Sequence, residues 1–377
     1  MSTLLPSGTA KTELAKIYPH TDDSYSWGLR PEQDYLMTAP HPEEAQAIET
    51  LNVWFYDAKQ NLGVNIHPQR ILNGQILAIM VTVFLPDGRI LRSNGDEAVQ
   101  FTDPKRPQSK HVRFYCEKPF HQWTYSLDNL PMWETNKQEL EAGAVAEKPA
   151  ITHVSLELNG LMQSPIYMQG GLLPEAAEAI KGEAGLWFAA RFEKGISSEA
   201  FRFEQIFSAT GSLNVSGKTY PLEGCGLRGH VRGTRILGGM YGHTWTGGMF
   251  ANGTAFGVQI FPRPEGGFFF SEAYIYKNGV MYPNRVVYAP PMSCDPNQGD
   301  YVIELACDEL GLSRIIGRDQ QVFWWSLSQW GSDQPIRWGI DPQASTVMRQ
   351  ATAEFRFDGE VGYGMCERSG PLIKGNA

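Results

Sequence analysis

Short apolar runs broken by turn dipeptides dominate the chain. Residues 76–85 read ILAIMVTVFL, then Pro-Asp87-Gly88, then RILRS; residues 268–276 read FFFSEAYIY, then Lys-Asn278-Gly279, then VMYPNRVVY. β-Branched and aromatic runs around Asn-Gly or Asp-Gly are the signature of a β-hairpin, because these dipeptides supply the positive φ angles of a type I′ turn. Seven such pairs occur: Asn73-Gly74, Asp87-Gly88, Asn94-Gly95, Asn159-Gly160, Asn252-Gly253, Asn278-Gly279 and Asp358-Gly359. They fall in both halves, which predicts antiparallel β-structure throughout. Helical patterns are confined to residues 9–17, 42–50 (opened by Pro42, with Glu43 and Glu44 in the first turn) and 174–181. The last follows Gly170-Gly171 and precedes a new β-like run, LWFAARFEK. A boundary near residue 170 is therefore expected, with domains 1–170 and 171–377.

Composition agrees with a β-rich protein. Gly (39) and Pro (24) are about one residue in six, aromatics reach 12% and charged residues only 19% of the 377. A net charge of −9 with no basic tract argues against a nucleic-acid partner and an anionic membrane surface. The longest strongly apolar run is half of what a membrane helix needs, so no membrane span is expected. Five scattered cysteines without a C-x-x-C fit a reducing compartment. With no signal-peptide pattern at the N-terminus, a cytoplasmic protein is expected.

Two motifs imitate nucleotide binding. Gly224-Cys-Gly-Leu-Arg-Gly229 fits G-x-G-x-x-G, but a glycine-rich stretch follows instead of a helix, and no acid stands between Glu223 and Glu265. Gly211 to Thr219 has five residues between its glycines where a P-loop needs four, and Ser216-Gly217 reads as a hairpin turn. The eight histidines show no metal-ligand spacing. No metal and no other cofactor is expected.

Residues 200–276 hold three polar groups in unusual company. His230 lies between Arg228 and Arg232, His243 shares a strand face with Trp245, and Glu272 shares one with Phe268, Phe270, Tyr274 and Tyr276. An acid on an aromatic face ionises at a cost, so its pKa rises and suits it to proton donation. Structural readings compete: a solvated face for Glu272, a hydrogen-bonded core role for His243, an exposed cationic strand for His230.

Phe203-Glu-Gln205, a hairpin, and Gly226-Leu-Arg228-Gly-His230-Val-Arg-Gly233 together resemble the two-domain lipocalin-like proteins related to carotenoid 1,2-hydratase. That group includes kievitone hydratase and fungal decalin-forming Diels–Alderases. His243-Thr-Trp245 and Asn252-Gly253 are similar to its second aromatic patch and turn. The family pattern has Asp where this chain has Gly229, and Trp where it has Arg232. The resemblance implies an all-β fold of two lipocalin-like (calycin-type) barrels, with a pocket inside them or between them. It carries over His230 first and leaves the acid's role to Glu272 or Glu204. The expected catalytic set is His230, His243 and Glu272. Trp245, Arg232, Glu204, Gln259, Tyr274, Tyr276 and Trp54 are expected to contact substrate. The expected activity is a cofactor-independent lyase, hydratase or isomerase acting on a bulky apolar molecule of terpenoid, steroid or polyketide type. A cyclase or pericyclase, or a non-catalytic carrier, are the rival readings, and a homodimer is allowed.

Overall fold

The computed structural model describes residues 25–35, 47–71, 76–98, 103–143, 150–181, 201–234, 241–289, 298–327 and 336–371. Among these, a 10-stranded sheet contains β1 (Ala47–Asp57), β2 (Leu62–Ile71), β3 (Ile76–Phe84), β4 (Arg89–Ala98), β5 (Val112–Lys118), β6 (Gln122–Asn136), β7 (Ile151–Met162), β8 (Tyr167–Met168), β9 (Phe201–Val215) and β10 (Lys218–Thr234). The order β10-β1-β2-β3-β4-β6-β7-β9 closes on itself because β9 pairs back onto β10. A 9-stranded sheet contains β11 (His243–Phe250), β12 (Ala255–Pro262), β13 (Phe268–Lys277), β14 (Val280–Tyr288), β15 (Tyr301–Cys307), β16 (Gly311–Leu327), β17 (Arg337–Trp338), β18 (Thr346–Phe357) and β19 (Glu360–Gly370). It closes in the order β11-β12-β13-β14-β15-β16-β18-β19, with β19 returning to β11. The pairings that close both rings are antiparallel. Two short α-helices, α1 (Lys137–Ala142) and α2 (Pro174–Lys181), accompany the barrels.

The expected all-β pair of barrels is thus what the chain forms, but the expected boundary moves. Strands β9 and β10 lie beyond residue 170, yet they pair with β7 and β1 and complete the first barrel. The change of barrel falls between Thr234 and His243. The loop near residue 170 had marked only an interruption between strands of one ring.

Turn chemistry explains most hairpins. Asn278-Gly279, Asp358-Gly359 and Ser216-Gly217 all take positive φ at both residues, as a type I′ turn requires, and Gly88 and Gly253 do so at the second. Asn94-Gly95 and Asn159-Gly160 instead lie inside β4 and β7. At Gly160 a Cβ would come within 3.2 Å of the Tyr125 ring and 3.4 Å of Phe207, so the glycine makes room for core aromatics. Of the expected helices, 174–181 forms. The end of 42–50 is the start of β1 instead, where strand pairing overrides local propensity. Residues 9–17, Asn73-Gly74 and the LWFAARFEK run lie outside the described residues. No helix among the described residues is long and apolar enough to cross a membrane.

Strand alternation sorts side chains between two environments. Leu51, Val53 and Phe55 on β1 join Val64, Ile66, Trp123 and Phe207 inside the first barrel. Trp54, between them, faces outward and packs with Ile206, Leu227, Trp245 and Trp325 in a second cluster where the barrels meet. The first barrel also encloses an ion pair. Asp34 accepts from Arg228 Nη2 (2.8 Å), Trp123 Nε1 (2.8 Å) and the Phe120 amide (2.6 Å). Removing one member of a buried pair leaves the other uncompensated, which costs about 3–5 kcal/mol. Asp34→Ala is therefore expected to lower the unfolding free energy by about that amount in urea titrations. A loss below about 1 kcal/mol, the level of an exposed pair, would show that Asp34 does not hold the barrel.

Candidate functional site

The seam between the barrels is built from strand faces that a single barrel would show to water. Gly229 on β10 lies opposite Glu204 on β9, and both belong to the outward set of the first barrel. On the second barrel the outward set includes His243 and Trp245 of β11, Gln259 of β12, and Glu272 and Tyr274 of β13. A Cβ on Gly229 would make only ordinary contact, at 3.4 Å from the Trp245 indole and 4.0 Å from Glu204 Cγ. One on Gly257 would meet the Tyr274 ring at 2.4 Å.

Glu204 is wholly buried in this seam. It accepts from Arg202 Nη2 at 3.1 Å and from Gln259 Nε2, and Gln259 Oε1 in turn accepts from Gln169 Nε2 at 2.6 Å. The Arg202 guanidinium lies 5.2 Å over the Trp245 ring. Burial raises the Glu204 pKa; Arg202, Trp245 and Gln259 oppose it and do not cancel it. Trp245 Nε1 and Glu204 Oε2 face each other and have no other hydrogen-bond partner among the described residues, and the nearby Tyr274 Oη has none.

His243 forms the second centre. Its Nε2 lies 2.9 Å from Glu367 Oε1 and its Nδ1 2.6 Å from Ser369 Oγ, while its ring stacks 6.1 Å from Phe261. Gln350 Nε2 donates to Glu367 Oε2 at 2.6 Å, and Trp325 Nε1 donates to Gln350 at 3.2 Å. Burial alone would raise the Glu367 pKa, but His243, Gln350 and the charge of His67 outweigh it and hold the carboxyl below its ordinary range. An ionised Glu367 accepts from Nε2–H, which leaves Nδ1 to accept from the serine hydroxyl.

The expected catalytic trio does not assemble. His230 points into the first barrel, where Nε2 meets Glu49 Oε1 at 2.9 Å and the ring lies edge-on to Phe203. Arg232 shares its side of the strand, since both are even-numbered residues of β10. Glu272 is at the seam and wholly buried. It accepts from Tyr167 Oη (2.6 Å) and the amides of Gly170 (2.7 Å), Leu172 (2.8 Å) and Leu173 (2.9 Å). Burial pushes its pKa up to about 7 against the pull of those donors. Trp245, Glu204, Gln259 and Tyr274 do come together, with Trp54 and the half-buried Tyr276 in the adjoining apolar cluster. Glu367, Ser369, Gln169 and Arg202 were not anticipated. The weak signal for the first two was their i, i+2 spacing, which places both on one strand face.

Where the barrels diverge at the far end of the seam, a groove of about 540 Å³ is lined by Tyr56, Leu161, Cys225, Met249, Val361 and Tyr363 among others. Among the described residues there is no group of three or more His, Cys, Asp or Glu able to hold a metal ion.

Solved structures show what the chain is similar to in fold. A protein described as an AttH from Nitrosomonas europaea is 13% identical, covering 90% of this chain and 98% of that one, with a TM-score of 0.55. CghA is 11% identical over 91% of this chain and 98% of its own, with a TM-score of 0.51. Kievitone hydratase from Nectria haematococca is 10% identical over 88% and 91%, at 0.45. The resemblance read from residues 203–256 is borne out at the level of fold. No curated protein matches the chain by sequence. The model of the family described as "Domain of unknown function (DUF7064)" matches residues 31–287, and the chain belongs to that family.

Proposed function

We propose that this protein is a cofactor-independent acid–base enzyme, a lyase, hydratase or isomerase, acting on an apolar small molecule at the seam between its barrels. One observation carries the reading. Glu204 stands directly opposite Gly229, the position where the resembled pattern has an acid, wholly buried and with the Trp245 indole N–H and the unpartnered Tyr274 hydroxyl beside it. The carboxyl missing from β10 is supplied from β9, across one rung of the ladder.

Water addition, elimination and double-bond migration each need one group to give a proton and another to take one. Environments that push two carboxyl pKa values apart assign those roles. Glu204, raised by burial, keeps its proton above the ordinary carboxylate range and gives it. Glu367, held ionised, steadies His243 at Nε2, and Nδ1 takes the Ser369 hydroxyl proton as Ser369 Oγ takes the other proton from substrate. Trp245 lies on the same strand face as His243, and its indole can stabilise a developing cation. The apolar side chains around this centre, Trp54, Ile206, Leu227 and Trp245, favour an apolar substrate.

The experiment incubates the protein with panels of terpenoid, steroid and polyketide alkenes in D₂O and follows deuterium uptake by mass spectrometry. For any substrate found, Glu204→Gln and His243→Ala are each expected to lower turnover by about 10²–10⁴ while the dissociation constant changes little. The wild-type rate falls on the alkaline side as Glu204 loses its proton, at a pH above the ordinary carboxylate range. Near-wild-type turnover in both variants would overturn the acid–base reading in favour of a shape-directed cyclase. Binding without any turnover would leave a carrier.

A further inference from the structure

Glu204 is wholly buried, so a substrate reaches it only if some wall moves. The segment against it is residues 167–173. Tyr167 pairs with Glu204 across β8 and β9, and its ring lies 5.3 Å from that of Tyr274. Gln169 holds Gln259, which holds Glu204. On its own barrel the segment is fastened by two ladder residues and by the Gln169 amide donating to the Arg202 carbonyl at 2.9 Å. On the other barrel it packs Tyr167, Leu172 and Leu173 against Phe261, Phe270, Tyr274 and Met281 and bonds Gln259 through Gln169, and its largest set of polar ties is the four hydrogen bonds that Glu272 receives from it.

We propose that residues 167–173 are the movable wall of the Glu204 site and that Glu272 is its latch, a positioning residue that never meets substrate. This rests on the seam being the active site, but the opening itself can be measured without any substrate.

Opening returns Glu272 to water, where its pKa reverts from about 7 to 4.5. The closed state therefore binds the extra proton. Its advantage is full below pH 4.5 and is lost as pH rises to about 7, so the wall opens more readily at neutral pH than in acid. The other ionisable groups around the latch are Tyr167 on the segment, Glu204 and Arg202 on β9, Tyr274 on β13, and the exposed Glu175–Arg285 pair between α2 and β14.

Amide hydrogen exchange on the full chain tests this. After correction for intrinsic base catalysis, opening at Gly170, Leu172 and Leu173 is expected to rise up to about tenfold per pH unit between 4.5 and 7, then level off. Glu272→Gln should flatten that slope and leave the amides of β16 and β18 protected. If Glu272→Gln does not fold, Tyr167→Phe carries the test: it removes one bond and no charge, so opening should rise several-fold with the slope kept. A slope that survives Glu272→Gln, wild-type amides that exchange only through global unfolding, or no change in Tyr167→Phe would overturn the latch. Failure to find a substrate would bear on the proposed activity alone.

Discussion

A carboxylate taken out of water must find its hydrogen bonds in protein, and at the seam of this molecule they come from the opposite barrel. Glu272 belongs to β13, yet its four donors are Tyr167 and three amides of the segment that follows β7. The same constraint governs the rest of the interface. Outward faces of a barrel are ordinarily wet; here two are buried against each other, so their polar side chains must be answered across the gap. Gln169 answers Gln259, and the charge of His67 on β2 reaches Glu367 on β19. Relative placement of the barrels is thereby fixed by directional bonds as well as by Trp54, Leu227 and Trp245. A purely apolar seam would slide more freely.

Glycine gives aromatic rings room at the seam. The stretch around Gly229 looks like a phosphate loop in sequence, but its glycines belong to a long strand. The Trp245 indole packs against the bare backbone at Gly229, and at Gly257 the missing side chain seats the Tyr274 ring. Both aromatics then present their polar ends to Glu204's neighbourhood.

Much of the fold was legible because its signals are local. A β-hairpin needs only a few residues with the right φ angles and alternating neighbours, and Ser216-Gly217, Asn278-Gly279 and Asp358-Gly359 supply both. Barrel membership was not local. Nothing in residues 201–234 says that β10 returns to β1, since that pairing joins Ala47 to Thr234 across the whole first barrel. The site divides the same way. Trp245 beside His243 was visible at i, i+2, and Glu272 stood out as an acid on an aromatic face, whereas Glu204 entered only through the resemblance. Glu367 and Ser369 come to His243 from more than 120 residues away, and His230 turned inward because Leu51 and Phe203, its partners on either side, face the interior. Alternation gives the two sides of a strand but not which side is the seam.

The seam sets three carboxyl groups under one rule and obtains three behaviours. Glu204 has one cationic neighbour, Arg202, which with Trp245 and Gln259 does not cancel the loss of water, so its pKa is raised. Glu367 is buried too, but an imidazole, an amide and a second histidine's charge face it, and ionisation prevails. Glu272 lies between them: four neutral donors compensate its charge without cancelling the loss of water, and its pKa settles near neutrality. What separates the three is the charge and number of donors, since desolvation is common to all. The proposed acid, supporting base and latch rest on that difference, and each depends on a partner contributed by a distant part of the chain.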